Sequence, residues 1–334
     1  MLSTLYAALA RRRREFYSRR PDRRLRLRRP VITVGNLAVG GRGKTPTVAT
    51  VAGLLLEMGE RPAILSRGYA RRDPVDGVVV VRDPDGIRAD LDRAGDEPLM
   101  LARRLPGACV LSSSERYLAG RLAEHRLGAT VHVLDDGFQH LHLDRDIDIV
   151  LVSGEDLERE ARTLPGGRLR EPADALFAAD AVLALDPAVA TLGPEPRHSW
   201  FELFSLRKSL AEPVGADGSD ASRSLAVAGI ARPKAFFDDL RAAGHELAET
   251  VAFRDHHRYS RRDVAGIIDR ARKAGAARIL TTEKDYVRLS PFRPFAVPVA
   301  WVPLTMEPDP LPAFRTWLSD ALDAARDIYR TPGD

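Results

Sequence analysis

The sequence is poor in cysteine and aromatic residues and has no long hydrophobic run. Cys109 is the single cysteine among 334 residues, so the chain cannot form an internal disulfide, which favours a reducing compartment. No apolar stretch reaches the roughly 18 residues of a membrane-spanning helix, and no cysteine or histidine pattern is typical of a zinc site. Aromatic residues make up 6% of the chain. They are not interleaved with basic residues in the way that suits base stacking, which argues against nucleic-acid binding.

Positive charge is concentrated at the N terminus. Residues 1–29 contain eleven arginines and only two acidic residues, although the whole chain has a net charge of +4. Four apolar side chains that precede the arginines share one face of a predicted helix: Leu2, Leu5, Tyr6 and Leu9. A secretory signal has the opposite order, with charge before the apolar run. We predict a basic amphipathic segment on an anionic membrane surface. A solvated charged helix, an organellar transit peptide and a nucleic-acid arm remain alternatives.

A glycine-rich loop follows a short apolar run within residues 31–46. This order predicts a strand, a phosphate-binding loop and a helix. Glycines let backbone N–H groups approach phosphate, Lys44 would reach the β- and γ-phosphates of ATP, and the Thr45 hydroxyl would bind Mg²⁺. The strict pattern requires glycine where Ala38 stands, and a glycine-rich turn without function is the alternative. The predicted nucleotide-binding residues are Gly40, Gly41, Arg42, Gly43, Lys44, Thr45 and Pro46.

Two adjacent carboxylates end a second apolar run, which begins at Ala129. Asp135 and Asp136 stand at the end of this predicted strand. Neighbouring carboxylates repel each other unless a cation lies nearby, and a phosphate-binding loop needs a carboxylate to hold its metal. We therefore predict that Asp135, Asp136 and Thr45 bind Mg²⁺. A polar junction between a strand and a turn is the alternative.

Strand and helix patterns alternate along the whole chain, which predicts an α/β fold. We expect a P-loop NTPase-like domain with a largely parallel sheet and a second, smaller α/β domain. The predicted segments are 1–29, a basic membrane-surface segment; 30–205, the P-loop domain; 206–223, a linker rich in Gly, Asp and Ser; and 224–334, the smaller domain with a C-terminal helix.

The chain resembles the tetraacyldisaccharide 4′-kinase (lipid A 4′-kinase) family in seven motifs that follow one another in the family's order. Arg42 departs from the family, which commonly has a smaller residue there. The motifs are Gly35-Asn36 with Gly40-Gly41-x-Gly43-Lys44-Thr45-Pro46, Ser66-Arg67-Gly68-Tyr69, Gly95-Asp96-Glu97-Pro98, Asp135-Asp136-Gly137-Phe138-Gln139-His140, Leu169-Arg170-Glu171-Pro172, Asp255-His256-His257 and Thr281-Thr282-Glu283-Lys284-Asp285.

This resemblance implies a lipid kinase that uses ATP and Mg²⁺. The γ-phosphate of ATP would pass to the 4′-hydroxyl of tetraacyldisaccharide 1-phosphate, giving the 1,4′-bisphosphate of lipid A biosynthesis. The family works as a peripheral protein at the cytoplasmic face of the bacterial inner membrane, which agrees with the basic N terminus. We expect the lipid and an anionic membrane surface as partners, and neither nucleic acid nor an obligate protein partner.

The resemblance also guides the prediction of site residues. Asp96 would accept the proton of the sugar hydroxyl, and His256 would hold or tune Asp96. Positioning of the hydroxyl and late removal of its proton suit phosphoryl transfer. The predicted catalytic residues are Lys44, Asp96, Arg170 and His256. The predicted substrate-binding residues are Asn36, Ser66, Arg67, Arg116, Gln139 and Glu171. The motif at residues 281–285 receives no role beyond its place at the end of a strand.

Two other functions remain open from the sequence. A membrane-surface ATPase of the MinD-like type also has a Gly-Gly-x-Gly-Lys-Thr loop, but Val39 stands where those proteins have a signature lysine. ATP turnover without a lipid acceptor would favour it. A non-catalytic module that senses nucleotide or binds nucleic acid through the arginine-rich arm would instead show salt-sensitive binding that depends on residues 1–29.

Overall fold

The computed structural model describes residues 1–40, 43–69, 71–73, 76–158, 160–189, 201–215 and 223–327. Gly41 and Arg42 of the predicted loop, and residues 216–222 of the predicted linker, lie outside these ranges. The helices are α1 Leu2–Arg19, α2 Lys44–Glu57, α3 Leu91–Ala94, α4 Asp96–Arg104, α5 Arg116–Arg126, α6 Gly154–Leu157, α7 Pro233–Ala242, α8 Arg261–Lys273, α9 Glu283–Leu289 and α10 Leu311–Asp327. The strands are β1 Val31–Asn36, β2 Pro62–Ser66, β3 Val79–Asp83, β4 Gly86–Ile87, β5 Cys109–Ser112, β6 Val131–Asp135, β7 Ile147–Val152, β8 Ala181–Ala184, β9 Glu202–Leu210, β10 Arg223–Ala228, β11 Glu246–Ala252, β12 Arg278–Thr282, β13 Val299–Val302 and β14 Leu304–Asp309.

The larger sheet has ten strands in the described part of the chain, in the order β14-β9-β8-β7-β1-β6-β2-β5-β3-β4. The central strands from β9 to β5 are parallel, whereas β14 and the β3–β4 hairpin form antiparallel edges. Every residue of β1, in the middle, is buried, as expected for a parallel strand covered on both faces. The predicted P-loop NTPase-like, largely parallel sheet is confirmed.

Gly35 brings the end of β1 close to the segment that follows β6. A Cβ atom at Gly35 would lie 2.5 Å from Cβ of Phe138, so a larger residue would push the two segments apart. Phe138 is fully buried. Because β1 and β6 pair with Val34 opposite Asp135, this contact fixes the carboxylate pair beside the strand that leads into the glycine-rich loop.

The smaller sheet has the strand order β11-β10-β12-β13, and these described strands are all parallel. Alternate residues of β10 contribute to two hydrophobic clusters, Leu225 and Val227 to one and Ala226 and Ala228 to the other. This alternation places apolar side chains on both faces of the sheet. The predicted second, smaller α/β unit is therefore present.

The last described strand and helix return to the larger sheet, which corrects two predicted boundaries. β14 pairs with β9, and α10 places Phe314 and Leu318 in the same hydrophobic core as Ile32 of β1. The smaller sheet is thus an insertion that ends at Val302, so α10 does not belong to the smaller domain as predicted. The predicted linker at 206–223 is also too long, because β9 continues through its first residues and β10 begins at its last.

Helix α2 rests on β14 at the point where the glycine-rich loop ends. The Thr50 hydroxyl donates to the carbonyl oxygen of Met306 at 2.9 Å. A Cβ atom at Gly43 would lie 2.7 Å from the terminal methyl of Met306. The end of the loop therefore packs against β14, which follows the inserted sheet in the chain.

Helix α1 lies on the surface and buries none of its residues. The chain after it is packed, because Leu27 is buried against Gly120 of α5, where a Cβ would lie 2.3 Å from a Leu27 methyl. The predicted segment 1–29 thus divides into an exposed helix and a packed connection. Among the described residues no helix is long and apolar enough to cross a membrane. The exposed apolar side chains of α1, together with Met1 directly before it, are Met1, Leu2, Leu5, Tyr6, Leu9 and Phe16.

Candidate active site

The glycine-rich loop joins β1 to α2 at the carboxyl edge of the larger sheet. Gly40 and Gly43 have φ angles of 110° and 85°, in the left-handed region that favours glycine. Lys44 is the first residue of α2, and Thr45 and Pro46 follow in its first turn. The predicted order of strand, loop and helix is therefore observed, and it directs the N terminus of α2 toward the loop, where an anion is stabilised.

The Lys44 side chain reaches back across this loop. Its Nζ donates to the Gly40 carbonyl oxygen at 3.2 Å and to Asn36 Oδ1 at 3.3 Å. The same nitrogen lies 3.9 Å from Asp136 Oδ1. Lys44 thus lies between the loop and the carboxylate pair, as a phosphate-binding lysine would.

Asp136 is held by Arg170. The guanidinium donates one hydrogen bond to each carboxylate oxygen, at 2.8 and 2.7 Å. It also donates to the backbone and side-chain oxygens of Asn36. Gln139 donates to the same backbone oxygen of Asn36 at 3.1 Å. Burial raises the pKa of Asp136, but the hydrogen bonds from Arg170 and the Lys44 charge outweigh it, so the pKa lies below its usual range. Asp136 is therefore ionised, and Arg170 orients its carboxylate. Its backbone lies in the left-handed region, with φ of 58°.

Asp135 has a different environment although it is adjacent. It is 4% exposed, and in the described part of the chain no side chain donates a hydrogen bond to it. Burial and the negative charges of Glu97 and Asp136 raise the pKa of its carboxyl, and Lys44 and Arg116 offset this only in part. A buried carboxylate in this state is stabilised by a cation.

Several buried polar atoms around these carboxylates have no hydrogen-bond partner among the described residues. Groups of three or more His, Cys, Asp or Glu side chains that could hold a metal are also not found there. Mg²⁺ commonly binds through one or two carboxylates together with substrate phosphates, so the Asp135 and Thr45 oxygens fit this ion once a triphosphate is bound. The unpartnered atoms are Thr33 Oγ1, Asn36 Nδ2, Ser112 Oγ, Arg116 Nε, Gln139 Oε1 and Arg170 Nε.

Further predicted residues follow the carboxyl ends of the neighbouring strands. Ser66 is buried at the end of β2, and Arg67 is exposed beside it. Arg116 begins α5 and is buried. Burial and the nearby charge of Arg67 lower the pKa of Arg116, while Asp135 and Asp136 act in the opposite direction. Arg116 therefore faces the carboxylate pair from the β5 side of the sheet, and the exposed Arg67 lies close enough to act on Arg116.

Asp96 lies where the smaller unit meets α4 of the larger one. It begins α4, is 4% exposed, and its Oδ2 lies 2.9 Å from His256 Nδ1. The same oxygen is 3.8 Å from Lys284 Nζ and 3.7 Å from Arg288 Nε. Burial raises the pKa of Asp96, but the His256 hydrogen bond and the charges of Lys284 and Arg288 lower it below the usual value. The sequence predicted the pairing of Asp96 with His256, and the structure brings them together.

The motif at residues 281–285 builds the other side of this cluster, a role that the sequence did not reveal. Asp285 is fully buried and accepts hydrogen bonds from the Gly229 N–H, the Tyr259 hydroxyl, the Thr282 hydroxyl and Arg288. Thr282 also caps the N terminus of α9 by accepting from the Asp285 N–H. This anchored helix carries the two cations that approach Asp96. Residues 285–289 of α9 are all buried, and only the packing of the helix shows that Lys284 and Arg288 approach Asp96.

The side chain of Glu171 forms an ion pair with helix α1. Its carboxylate accepts two hydrogen bonds from Arg14 of α1, at 2.6 and 2.8 Å. The Arg14 guanidinium also lies 4.2 Å from the centre of the Phe138 ring. Glu171 therefore fastens α1 to the larger unit, and among the described contacts it pairs with Arg14 and not with Arg170. Its predicted contact with the sugar stays a prediction.

A cavity of about 520 Å³ lies beneath α1 and away from the glycine-rich loop. Arginines and acids line it together, and they pair with each other, as in Arg11 with Asp174 and Arg145 with Asp148. Four arginines and six acidic residues line the cavity, so it offers no excess of positive charge for an anionic ligand. The loop and the two carboxylate centres remain the candidate active site.

Comparison with known proteins gives concordant results. A sequence model of the family described as tetraacyldisaccharide-1-P 4′-kinase matches residues 1–323. Tetraacyldisaccharide 4′-kinases from Geobacter metallireducens and Syntrophus aciditrophicus are 42% and 38% identical over 300 and 324 residues, covering 87% and 90% of this chain and 88% and 86% of those proteins. A crystal structure of LpxK from Aquifex aeolicus in complex with ATP has a TM-score of 0.78 and 30% identity, covering 96% of this chain and 97% of that one.

Proposed function

The chain belongs to the tetraacyldisaccharide-1-P 4′-kinase family, and from this premise we propose how its residues carry out the reaction. The protein is an ATP-dependent lipid kinase of lipid A biosynthesis. It transfers the γ-phosphate of ATP to the 4′-hydroxyl of tetraacyldisaccharide 1-phosphate. Family membership disfavours both the MinD-like surface ATPase and the non-catalytic binding module.

The roles rest on one observation, the meeting of two carboxylate centres near the glycine-rich loop. Asp136, which follows Asp135 directly, lies 3.9 Å from the Lys44 ammonium, and Asp96 lies 2.9 Å from His256. Glu97 follows Asp96 directly, and its charge acts on Asp135. One centre therefore suits the metal and triphosphate, and the other suits the acceptor hydroxyl.

In this proposal the loop amides, the N terminus of α2 and Lys44 hold the triphosphate. Arg170 lies beside the phosphate site while it orients Asp136. Arg116 has an unpartnered Nε among the described residues, which suits a phosphate oxygen. Phosphoryl transfer depends mainly on such positioning and on neutralising charge at the transferred group. Asn36, Ser66, Arg67 and Gln139 remain candidates for contacts with the substrates.

Mg²⁺ would be held by Thr45 and Asp135 together with phosphate oxygens of ATP. Asp135 accepts no side-chain hydrogen bond within the described ranges, which supports this choice over Asp136, whose two oxygens already bind Arg170. When bound, Mg²⁺ supplies positive charge that stabilises the reacting phosphates. Asp136 would then act by holding Lys44 and Arg170 in place.

Asp96 is proposed as the base that accepts the proton of the 4′-hydroxyl. Its lowered pKa keeps it ionised at neutral pH, so it can accept a hydrogen bond from the sugar before transfer. A sugar hydroxyl is weakly acidic, and its proton leaves late in a loose transition state. His256 orients the Asp96 carboxylate through the hydrogen bond to Oδ2.

Helix α1 is proposed to rest on the cytoplasmic face of the inner membrane, so that the protein is peripheral. Its exposed apolar side chains include Leu2, Leu5 and Leu9, and arginines follow them along the same helix. Apolar side chains enter the headgroup boundary and arginines bind anionic lipids. The acyl chains of the substrate reside in the same membrane, which brings acceptor and enzyme together.

The test is transfer from γ-labelled ATP to tetraacyldisaccharide 1-phosphate in detergent micelles. We expect labelled lipid from the intact protein and its loss in Lys44→Ala. Lys273→Ala is the matched control, because this lysine of α8 is exposed and pairs only with Asp269 among the described residues. Inorganic phosphate without labelled lipid would instead indicate a surface ATPase, and equal lipid labelling by Lys44→Ala would refute the phosphate role of the loop.

A further inference from the structure

We propose that Lys284 is a positioning residue that fixes the tautomer of His256, so that His256 donates its Nδ1 hydrogen to Asp96. Lys284 belongs to the motif at residues 281–285, which the reaction scheme above does not use. The proposal deepens that scheme and rests on the assignment of Asp96 as the base.

His256 lies between a carboxylate and an ammonium group. Its Nδ1 is 2.9 Å from Asp96 Oδ2, and its Nε2 is 3.1 Å from Lys284 Nζ. The backbone at His256 has φ of 54°, an uncommon value for a residue other than glycine. Both ring nitrogens are thus engaged at the same time, Nδ1 by Asp96 and Nε2 by Lys284.

The chemistry of the two partners determines where the ring hydrogen resides. An ammonium group has three N–H donors and no acceptor, so His256 Nε2 must accept from Lys284. A neutral imidazole has one donor and one acceptor nitrogen, so the hydrogen lies on Nδ1 and is donated to Asp96. A doubly protonated ring would direct an N–H toward the Lys284 ammonium, which is unfavourable by both charge and hydrogen bonding.

Lys284 keeps its charge because acids surround it. Its Nζ donates to Glu97 Oε1 at 3.1 Å and lies 3.8 Å from Asp96 and 4.0 Å from Asp255. Burial lowers the pKa of Lys284, but these three carboxylates outweigh burial and raise it. Asp255 also lies 3.9 Å from His256 Nε2, and Arg288 faces Asp96 from the next turn of α9.

The position of Lys284 is fixed by its helix. The buried Asp285 beside it accepts hydrogen bonds from Gly229, directly after β10, from Thr282 of β12, from Arg288 of α9 and from Tyr259. Thr282 closes the first turn of α9. A side chain on such an anchored turn can hold a ring nitrogen in one orientation, as groups around a catalytic site must.

This arrangement explains what the neutral tautomer contributes. With the hydrogen on Nδ1, His256 orients the Asp96 oxygen without neutralising its charge. The other Asp96 oxygen already accepts from the Glu97 N–H at 2.9 Å, so both oxygens are oriented. A histidine held in the wrong tautomer strongly lowers turnover in a Ser-His-Asp triad. Here the wrong tautomer would remove the N–H that orients Asp96.

The test compares wild type with Lys284→Met and Lys284→Arg. Nitrogen NMR of protein with ¹⁵N-labelled histidine reports each tautomer, and the His256 signals are assigned by their loss in His256→Gln. We expect a neutral ring with hydrogen on Nδ1 in wild type, and the other tautomer or the charged ring in Lys284→Met. We expect kcat of Lys284→Met to fall by about 10- to 100-fold with KM for ATP and lipid within about twofold. This is less than the roughly 100- to 10,000-fold contribution of a general base, because Asp96 itself remains. Lys284→Arg retains a charged donor and should recover the tautomer and most of kcat.

Lys273→Met is the control for removing a lysine, and it should leave the spectrum and kcat unchanged. The proposal is overturned by a wild-type spectrum with hydrogen on Nε2 or on both nitrogens, a measurement that requires no variant to fold. It is also overturned if Lys284→Met raises a KM at unchanged kcat, because Lys284 would then contact a substrate. Unchanged kcat in Asp96→Asn would refute the base assignment alone, since the resting tautomer is measured without turnover.

Discussion

Arg14 fastens α1 to the larger unit, and its replacement should weaken the docking of this helix. Arg14 donates two hydrogen bonds to Glu171, and their side chains are 15% and 6% exposed. The guanidinium also covers the Phe138 ring at 4.2 Å and donates to the Phe138 carbonyl oxygen. Replacement by methionine would leave the Glu171 carboxylate buried and unpaired.

The expected cost follows from this burial. Removing one partner of a buried ion pair costs about 3–5 kcal/mol, and the partial exposure of Arg14 places the loss near the lower limit. A loss of about 3 kcal/mol corresponds to a change of roughly 150-fold in an equilibrium constant. Because α1 buries none of its residues, the loss should open α1 locally and leave the remaining structure folded.

Native-state hydrogen exchange of the α1 amides measures this opening. In Arg14→Met we expect protection to fall about 100-fold, or to the level of a free peptide if that is reached first. Adding Glu171→Gln should restore part of it, because the buried charge is then removed. Arg19→Met is the control: Arg19 and Glu15 form an exposed pair, whose loss should cost at most about 0.5 kcal/mol.

The reasoning fails if Arg14→Met changes the protection of α1 by less than about threefold while the helix is protected in wild type. It fails equally if the variant lowers the protection of β1 and β6 as much as that of α1. The second result would mean that the ion pair stabilises the whole sheet rather than the docking of one helix.

Three further changes test other contacts. Gly35→Ala should lower Tm through a cost of about 1–3 kcal/mol, because the new Cβ would meet Phe138 at 2.5 Å, whereas Gly53→Ala in α2 meets nothing within 4 Å and should not destabilise. Asp285→Ala should cost about 3 kcal/mol or more in urea unfolding, since it removes the buried acceptor of several donors and the closest carboxylate partner of Arg288. Asp96 has a lowered pKa, so its contribution to stability is present above the usual value of 3.8 and is lost as pH falls through the folded value. Asp96→Asn should therefore show a shallower decline in unfolding free energy between about pH 5 and 2.

Each of these predictions has a result that would contradict it. An unchanged Tm in Gly35→Ala would mean that the chain after β6 moves away at little cost. Wild-type urea midpoints in Asp285→Ala would show that the donors find other acceptors. An equally steep acid decline in Asp96→Asn would assign the pH dependence to other carboxylates.

The glycine-rich loop and the carboxylate pair could be predicted from sequence because each is a local pattern. Gly43-Lys44-Thr45 starts a helix directly after a strand, and Asp135-Asp136 ends one, so the parallel order of the strands brings them to one edge of the sheet. The roles of Asp96 and His256 came from resemblance to a family. No local pattern in the chain indicates that residues 160 positions apart share a hydrogen bond.

Other parts of the site depend on packing over long separations. The sequence of β14 contains Glu307, Pro308 and Asp309 and lacks a clear strand pattern, so only its pairing with β9 shows where it belongs. Glu171 follows Arg170 in a site motif, yet it points to Arg14, 157 residues away. Lys284 and Asp285 are neighbours with opposite tasks, one facing Asp96 and the other buried beneath it.

The return of the chain to the larger sheet has a consequence for biosynthesis. Residues of the smaller sheet are continuous from Arg223 to Val302, so this unit can fold as soon as it leaves the ribosome. The larger sheet receives β14 only afterwards, together with Met306, against which Gly43 and Thr50 are fitted. Domains fold as units during synthesis, and distant pairings form slowly. The glycine-rich loop is therefore translated early but gains its support from Met306 only after the inserted sheet has been translated. We expect a nascent chain to bind ATP only once β14 has left the ribosome.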